Sequence, residues 1–185
     1  MYKRVLGALA AIALTAPTVG AASLEERRQH VDLVNQLENV NISVYVNTPQ
    51  FCRSEGEDRF LGAYYPSERI IIICQKNKLV FDGQAITFSE EDLDTLRHEA
   101  HHVLQDCLDG RVDGELVPLF PVGSRARASF LSQYPDEIEA KITEIYAMSG
   151  HDSDSIALEI EAFAVAALVD AGTIGTAVAD TCGVL

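Results

Sequence analysis

The sequence predicts an α+β domain: a small N-terminal β-sheet packed on an active-site helix, followed by a helical C-terminal half. Three observations lead there. Short β-branched runs occur only before residue 75. From Ser89 onward, apolar residues recur at helical spacing. Strand and helix signals also do not alternate along the chain, which argues against a doubly wound α/β fold.

The first 22 residues read as an export signal. Lys3 and Arg4 give a basic start, Val5 to Thr15 is an apolar run, Pro17 breaks it, and Gly20-Ala21-Ala22 offers a cleavage site. The run falls well short of the roughly 20 residues needed to span a bilayer. This predicts a secreted or periplasmic domain over 23–185 with no transmembrane segment after signal removal. About 163 residues are enough for one core and too few for two ordinary domains.

Leu24 to Val40 predicts an amphipathic helix, with Leu24, Val31, Val34 and Leu37, and Leu33 at its margin, on a broad apolar face and His30 exposed. Ile42 to Val46 alternates as a short strand. Leu61 to Tyr65 and Arg69 to Cys74 read as two strands across a Pro66-Ser67-Glu68 turn. Ile70 to Ile73 is unbroken β-branched sequence, as in a strand buried on both faces. Ser89 is a good N-cap with Glu90, Glu91 and Asp92 in the first turn. Leu93, Leu96, Ala100, Val103 and Leu104 then extend a helix to about Cys107. Residues 109–125 hold three Gly and two Pro and predict an irregular loop. Helices follow over 126–133, 136–148 and 152–171, with a last short helix or turn towards Cys182.

The helix at 90–107 carries His98-Glu99-Ala100-His101-His102, which fits H-E-x-x-H. Residues four apart lie on one helical face, so His98 and His102 can hold one zinc ion. Glu99 lies about 100° round the helix, within reach of a water that it can serve as general base. A zinc hydrolase acting on peptide bonds is the expectation. His101 is expected to be exposed or to lie behind the ligands.

A catalytic zinc site needs a third protein ligand. The x-x-G-x-x-H continuation is absent, because Gln105 and Leu108 stand where Gly and His would be. A carboxylate from a later helix is the other common solution. Glu159 and Glu161 are two apart and face away from each other. Glu159 shares a flank with Ala162 and Ala166, a small-residue stripe that would admit a neighbouring helix, and is the favoured ligand. Glu161 is expected at the periphery. Glu137, in another E-x-x-A stretch, is the remaining alternative. Tyr134, Tyr146 and His151 are candidate donors to a developing oxyanion.

His98, Glu99 and His102, with Glu159 and Ala162 further on, resemble the zincin metallopeptidases of the gluzincin type. These pair H-E-x-x-H with a distant E-x-x-A or E-x-x-S. The resemblance spans roughly Leu61 to Ala166. It implies one zinc ion, a peptide or protein substrate, and a sheet just before the helix of the first motif. One departure stands out: Phe163 occupies the position where many gluzincins carry an Asp that buttresses a ligand. Asp106 and Asp170 are candidates for that role. The departure also suits a second expectation, a catalytically inactive zincin-like domain that binds metal or a partner. A metal-free structural domain is the third.

Loss of Lys3 and Arg4 would leave a formal charge of about −16. Such a surface repels nucleic acid and anionic lipid. Four cysteines in an exported chain suggest two disulfides, and none is spaced as C-x-x-C. Three pairings are open. Cys52–Cys74 with Cys107–Cys182 is favoured, and free buried thiols are the alternative.

Overall fold

The computed structural model describes residues 23–52, 61–75, 88–110 and 112–183. The expected signal segment, 1–22, lies outside the described residues. The architecture is α+β, with one small sheet and six α-helices: α1 (Leu24–Asn39), α2 (Glu90–Cys107), α3 (Arg125–Leu131), α4 (Asp136–Met148), α5 (Ser153–Leu168) and α6 (Ala171–Cys182).

The sheet has three strands, β1 (Ser43–Val46), β2 (Gly62–Tyr65) and β3 (Ile70–Ile73), in the order β1-β3-β2. The β-branched run takes the central place. Ile71, Ile72 and Ile73 are buried, as expected for a strand covered on both faces. β1 runs parallel to it and β2 antiparallel. A 3₁₀ turn at Pro66–Glu68 joins β2 to β3, and Arg69 closes it in the left-handed region at φ 54°.

β2 lies close over α2. A Cβ on Gly62 would stand 2.6 Å from Thr95 Cγ2 and 2.7 Å from the Ile72 carbonyl oxygen. Tyr64 also donates its hydroxyl to Asp106 Oδ2 at 2.8 Å, binding the strand to the end of α2. At the other end of α2, Ser89 and Asp92 form a reciprocal capping box. Asp92 Oδ2 also accepts from Gln75 Nε2, just beyond β3. The helix is thereby fixed to the sheet at both ends.

Two expectations about the helices change. α1 buries His30, Leu33 and Leu37, while Leu24 and Val31 are 88% and 60% exposed. The buried face is rotated because α1 packs on α6. There Gly175 lets the Leu33 backbone come within 3.4 Å of where a Cβ would be. The helix expected over 152–171 ends at Leu168. Val169 is extended, and Asp170 starts α6 by accepting from Thr173 N–H at 2.9 Å.

The main core gathers Leu33, Leu37, Ile71, Ile73, Leu96, Val103, Ile174 and Val178 between the sheet and helices α1, α2 and α6. A second cluster, including Tyr146, Ile142, Ile160 and Ala164, joins α4 to α5. Both disulfides form in the favoured pairing, Cys52–Cys74 and Cys107–Cys182. No helix among the described residues is long and apolar enough to cross a membrane.

Candidate metal centre

His98 and His102 project from one face of α2, one turn apart, and both are buried. α5 brings Glu159 against them. The small residues Ala162 and Ala166 are buried along its flank, and the Ala166 carbonyl accepts from Arg97 Nε of α2 at 2.8 Å. His98 Nε2 lies 3.1 Å from His102 Nε2 and 3.3 Å from Glu159 Oε2, and His102 Nε2 lies 3.6 Å from Glu159 Oε1. Among the described residues these three form the group able to hold a metal ion.

The donor set fits zinc. Nitrogen and oxygen ligands at about 2.0–2.1 Å in a tetrahedron stand roughly 3.3 Å from one another. The 3.1 Å between the two Nε2 atoms and the 3.3 Å from His98 Nε2 to Glu159 Oε2 lie near that value, and the second carboxylate oxygen faces His102 at 3.6 Å. One buried polar atom beside the group adds to the fit: Glu99 Oε1 has no hydrogen-bond partner among the described residues. Buried polar groups are rarely left so.

The electrostatics follow from burial in close quarters. Burial alone would lower the pKa of His102, but the Glu159 carboxylate beside it raises it to about 9. His98 falls to about 4, chiefly through burial, with Glu159 opposing and His102 reinforcing the fall. Glu159 is held well below the usual carboxylate range by the imidazoles, against its burial. Burial pushes Glu99 up to about 8. Glu159 adds to the rise, while His102 and the Tyr64 backbone N–H of β2 oppose it.

Of the three tyrosine and histidine candidates, Tyr146 reaches the site. Its hydroxyl pKa is raised by burial and then by the Glu159 and Glu99 carboxylates. His151 packs edge-on against the Tyr146 ring at 5.1 Å and sits behind it. Tyr134 lies in the α4–α5 cluster and is shifted by burial alone. The rival ligand Glu137 is exposed on α4.

Glu161 corrects the expectation of a peripheral carboxylate. It is 0% exposed, because α2, the 119–120 segment and Arg127 of α3 close over this face of α5. It does not face the imidazole pair. Oε1 takes hydrogen bonds from His101 Nε2, Gln105 Nε2 and Leu119 N–H, and Oε2 from Arg127 Nη1 and Phe120 N–H. His101 is therefore buried behind the site, one of the two positions expected for it. His30, expected exposed, is also buried, and its Nε2 lies 3.2 Å from Arg97 Nη1.

Neither Asp106 nor Asp170 supports a ligand. Asp106 accepts from Tyr64 and from the Asp113 and Gly114 backbone N–H groups, and Asp170 caps α6. The support for His102 comes instead from Gln105 Oε1, 2.8 Å from its Nδ1. His98 has only ring packing: Phe163 lies edge-on at 4.4 Å. No family model matches the chain, and neither do curated proteins or solved structures.

Proposed function

We propose that the chain is a secreted or periplasmic zinc-dependent metallopeptidase. One zinc ion would be held by His98, His102 and Glu159, and peptide bonds would be cleaved by water under general-base catalysis by Glu99. The carrying observation is the convergence of the two imidazole Nε2 atoms, 3.1 Å apart, on the Glu159 carboxylate, whose Oε2 lies 3.3 Å from His98 and whose Oε1 lies 3.6 Å from His102. Glu99 beside that group separates a catalytic reading from a purely structural one, because a structural site has no use for a buried base. The two disulfides support an oxidising compartment.

Bound zinc would polarise the scissile carbonyl and acidify a water molecule. Glu99, placed one residue from His98, takes the proton from the attacking water and passes it to the departing amine. Tyr146, whose buried hydroxyl stands beside the Glu159 carboxylate, donates to the oxyanion that develops on the former carbonyl.

The support of His98 by Phe163 in place of a carboxylate favours a second reading, a metal-binding domain without turnover. One experiment separates the two. Purified wild type and Glu99→Gln are assayed for zinc content and for cleavage of a peptide library. The metallopeptidase reading expects about one zinc per chain in both and a 10²- to 10⁴-fold loss of cleavage in the variant. Equal cleavage by both removes Glu99 from the mechanism. Zinc without cleavage in wild type selects the silent domain.

A further inference from the structure

The hydrogen bonds behind His102 form a directed chain. Gln105 Nε2 has two acceptors in reach, Glu161 Oε1 at 3.0 Å and the Leu158 carbonyl at 3.4 Å. Both can only accept, so the nitrogen end of the amide must face them. The oxygen end then faces His102 Nδ1 at 2.8 Å, and Nδ1 must carry the ring proton. His102 is left with the Nε2 lone pair directed at His98 and Glu159.

Glu161 is itself pinned. Five donors converge on its two oxygens, and two of them are the Leu119 and Phe120 backbone N–H groups at 2.8 and 3.1 Å. Those residues belong to the segment between α2 and α3. The same segment is tied to α2 by Val117 N–H donating to the Gln105 carbonyl at 3.0 Å. Arg127 Nη1 adds a charge-assisted bond at 2.8 Å and Arg127 Nη2 donates to the Ala157 carbonyl, which anchors α3 to α5.

We propose that Gln105 is a positioning residue of the metal centre and that Glu161 orients it. The amide sets the tautomer of His102, and the carboxylate sets the amide. Glu161 also fastens the 117–120 segment, so the geometry of a metal ligand and the path of that segment share one anchor. This inference rests on the zinc reading proposed above.

The test uses the full chain and zinc alone, with affinity measured by competition against a chromophoric chelator. Gln105→Met keeps the length of the side chain and removes both hydrogen bonds. It is expected to weaken zinc binding by about 10- to 100-fold, the usual range for loss of a partner behind a ligand. The downfield His102 Nδ1 proton of the zinc-loaded protein should disappear from the NMR spectrum. Glu161→Gln leaves one accepting oxygen for five donors. It should weaken zinc at least threefold and speed amide exchange at Leu119 and Phe120 at least tenfold. A folded variant of either kind with zinc affinity within twofold of wild type overturns the proposal.

Wild type alone can also overturn it. A His102 bound through Nδ1, or an Nδ1 proton exchanging at the rate of an unprotected imidazole, contradicts the tautomer assignment whatever the variants do. Failure of wild type to bind zinc is a different result, which removes the metal centre and this inference with it.

Discussion

Removing the Tyr146 hydroxyl should make the metal-free protein more stable and slow the proposed peptidase reaction. The hydroxyl is buried on α4 without a hydrogen bond of good geometry among the described residues, although the Glu159 carboxylate stands close beside it and, with Glu99, raises the cost of giving up its proton. An unsatisfied buried polar group costs roughly 1–3 kcal/mol. Phenylalanine keeps the ring that packs on His151 and Phe163. Tyr146→Phe should therefore stabilise the metal-free chain by about 1 kcal/mol in a urea melt with chelator present. That corresponds to a rise in Tm of about 2–4 °C for a chain of this size. Loss of one oxyanion donor should cost about 10²–10³ in kcat with little change in KM. A loss of stability above about 1 kcal/mol would mean that the hydroxyl has a structural partner. Unchanged kcat would mean that the reaction does not use it.

Two further outcomes concern the scaffold. His30 has a pKa lowered by burial and by Arg97, against the opposing Glu26 carbonyl and carboxylate. The unfolded chain then binds more protons than the folded one as pH falls through about 6.5, so stability declines in that window. Relative to His30→Gln, wild type should lose at most about 1.4 kcal/mol per pH unit below pH 6.5; parallel stability curves for the two would refute this. Gly62→Ala places a methyl group 2.6 Å from Thr95 Cγ2 and 2.7 Å from the Ile72 carbonyl. It should cost about 1–3 kcal/mol by denaturant melt. Adding Thr95→Ser should not restore the loss, since the backbone oxygen remains; full rescue would show that the side chain alone was the obstacle.

What the sequence disclosed and what it withheld divide on physical lines. The Ser89 cap, the apolar spacing after it and the H-E-x-x-H pattern are local, and α2 forms where they predict. Glu159 was readable because its small neighbours Ala162 and Ala166 announce a close helix approach. Glu161 was not. Periodicity places a residue on a face, but it does not reveal that α5 is covered on two sides. Arg127 and Gln105 were missed for a related reason: their partner Glu161 lies 34 and 56 residues away. A buried Arg in a loop-flanking helix leaves no local trace. His30 belongs with them, since its partners Leu93 and Arg97 come from α2 rather than from its own helix.

The Cys107–Cys182 bond closes a ring of chain in which α3 through α6 are all contained, Glu159 among them. Once that bond exists, the carboxylate is tethered to the helix of its two imidazole companions even when α5 loosens. Its effective concentration at the site no longer depends on the packing of the core alone. Cys182 follows Cys107 by 75 residues, so the tether can close only after nearly all of the helical half has been synthesised. A nascent chain halted between residues 159 and 182 would hold both imidazoles and the carboxylate but lack the tether between them, which makes oxidation a late step in assembling the centre.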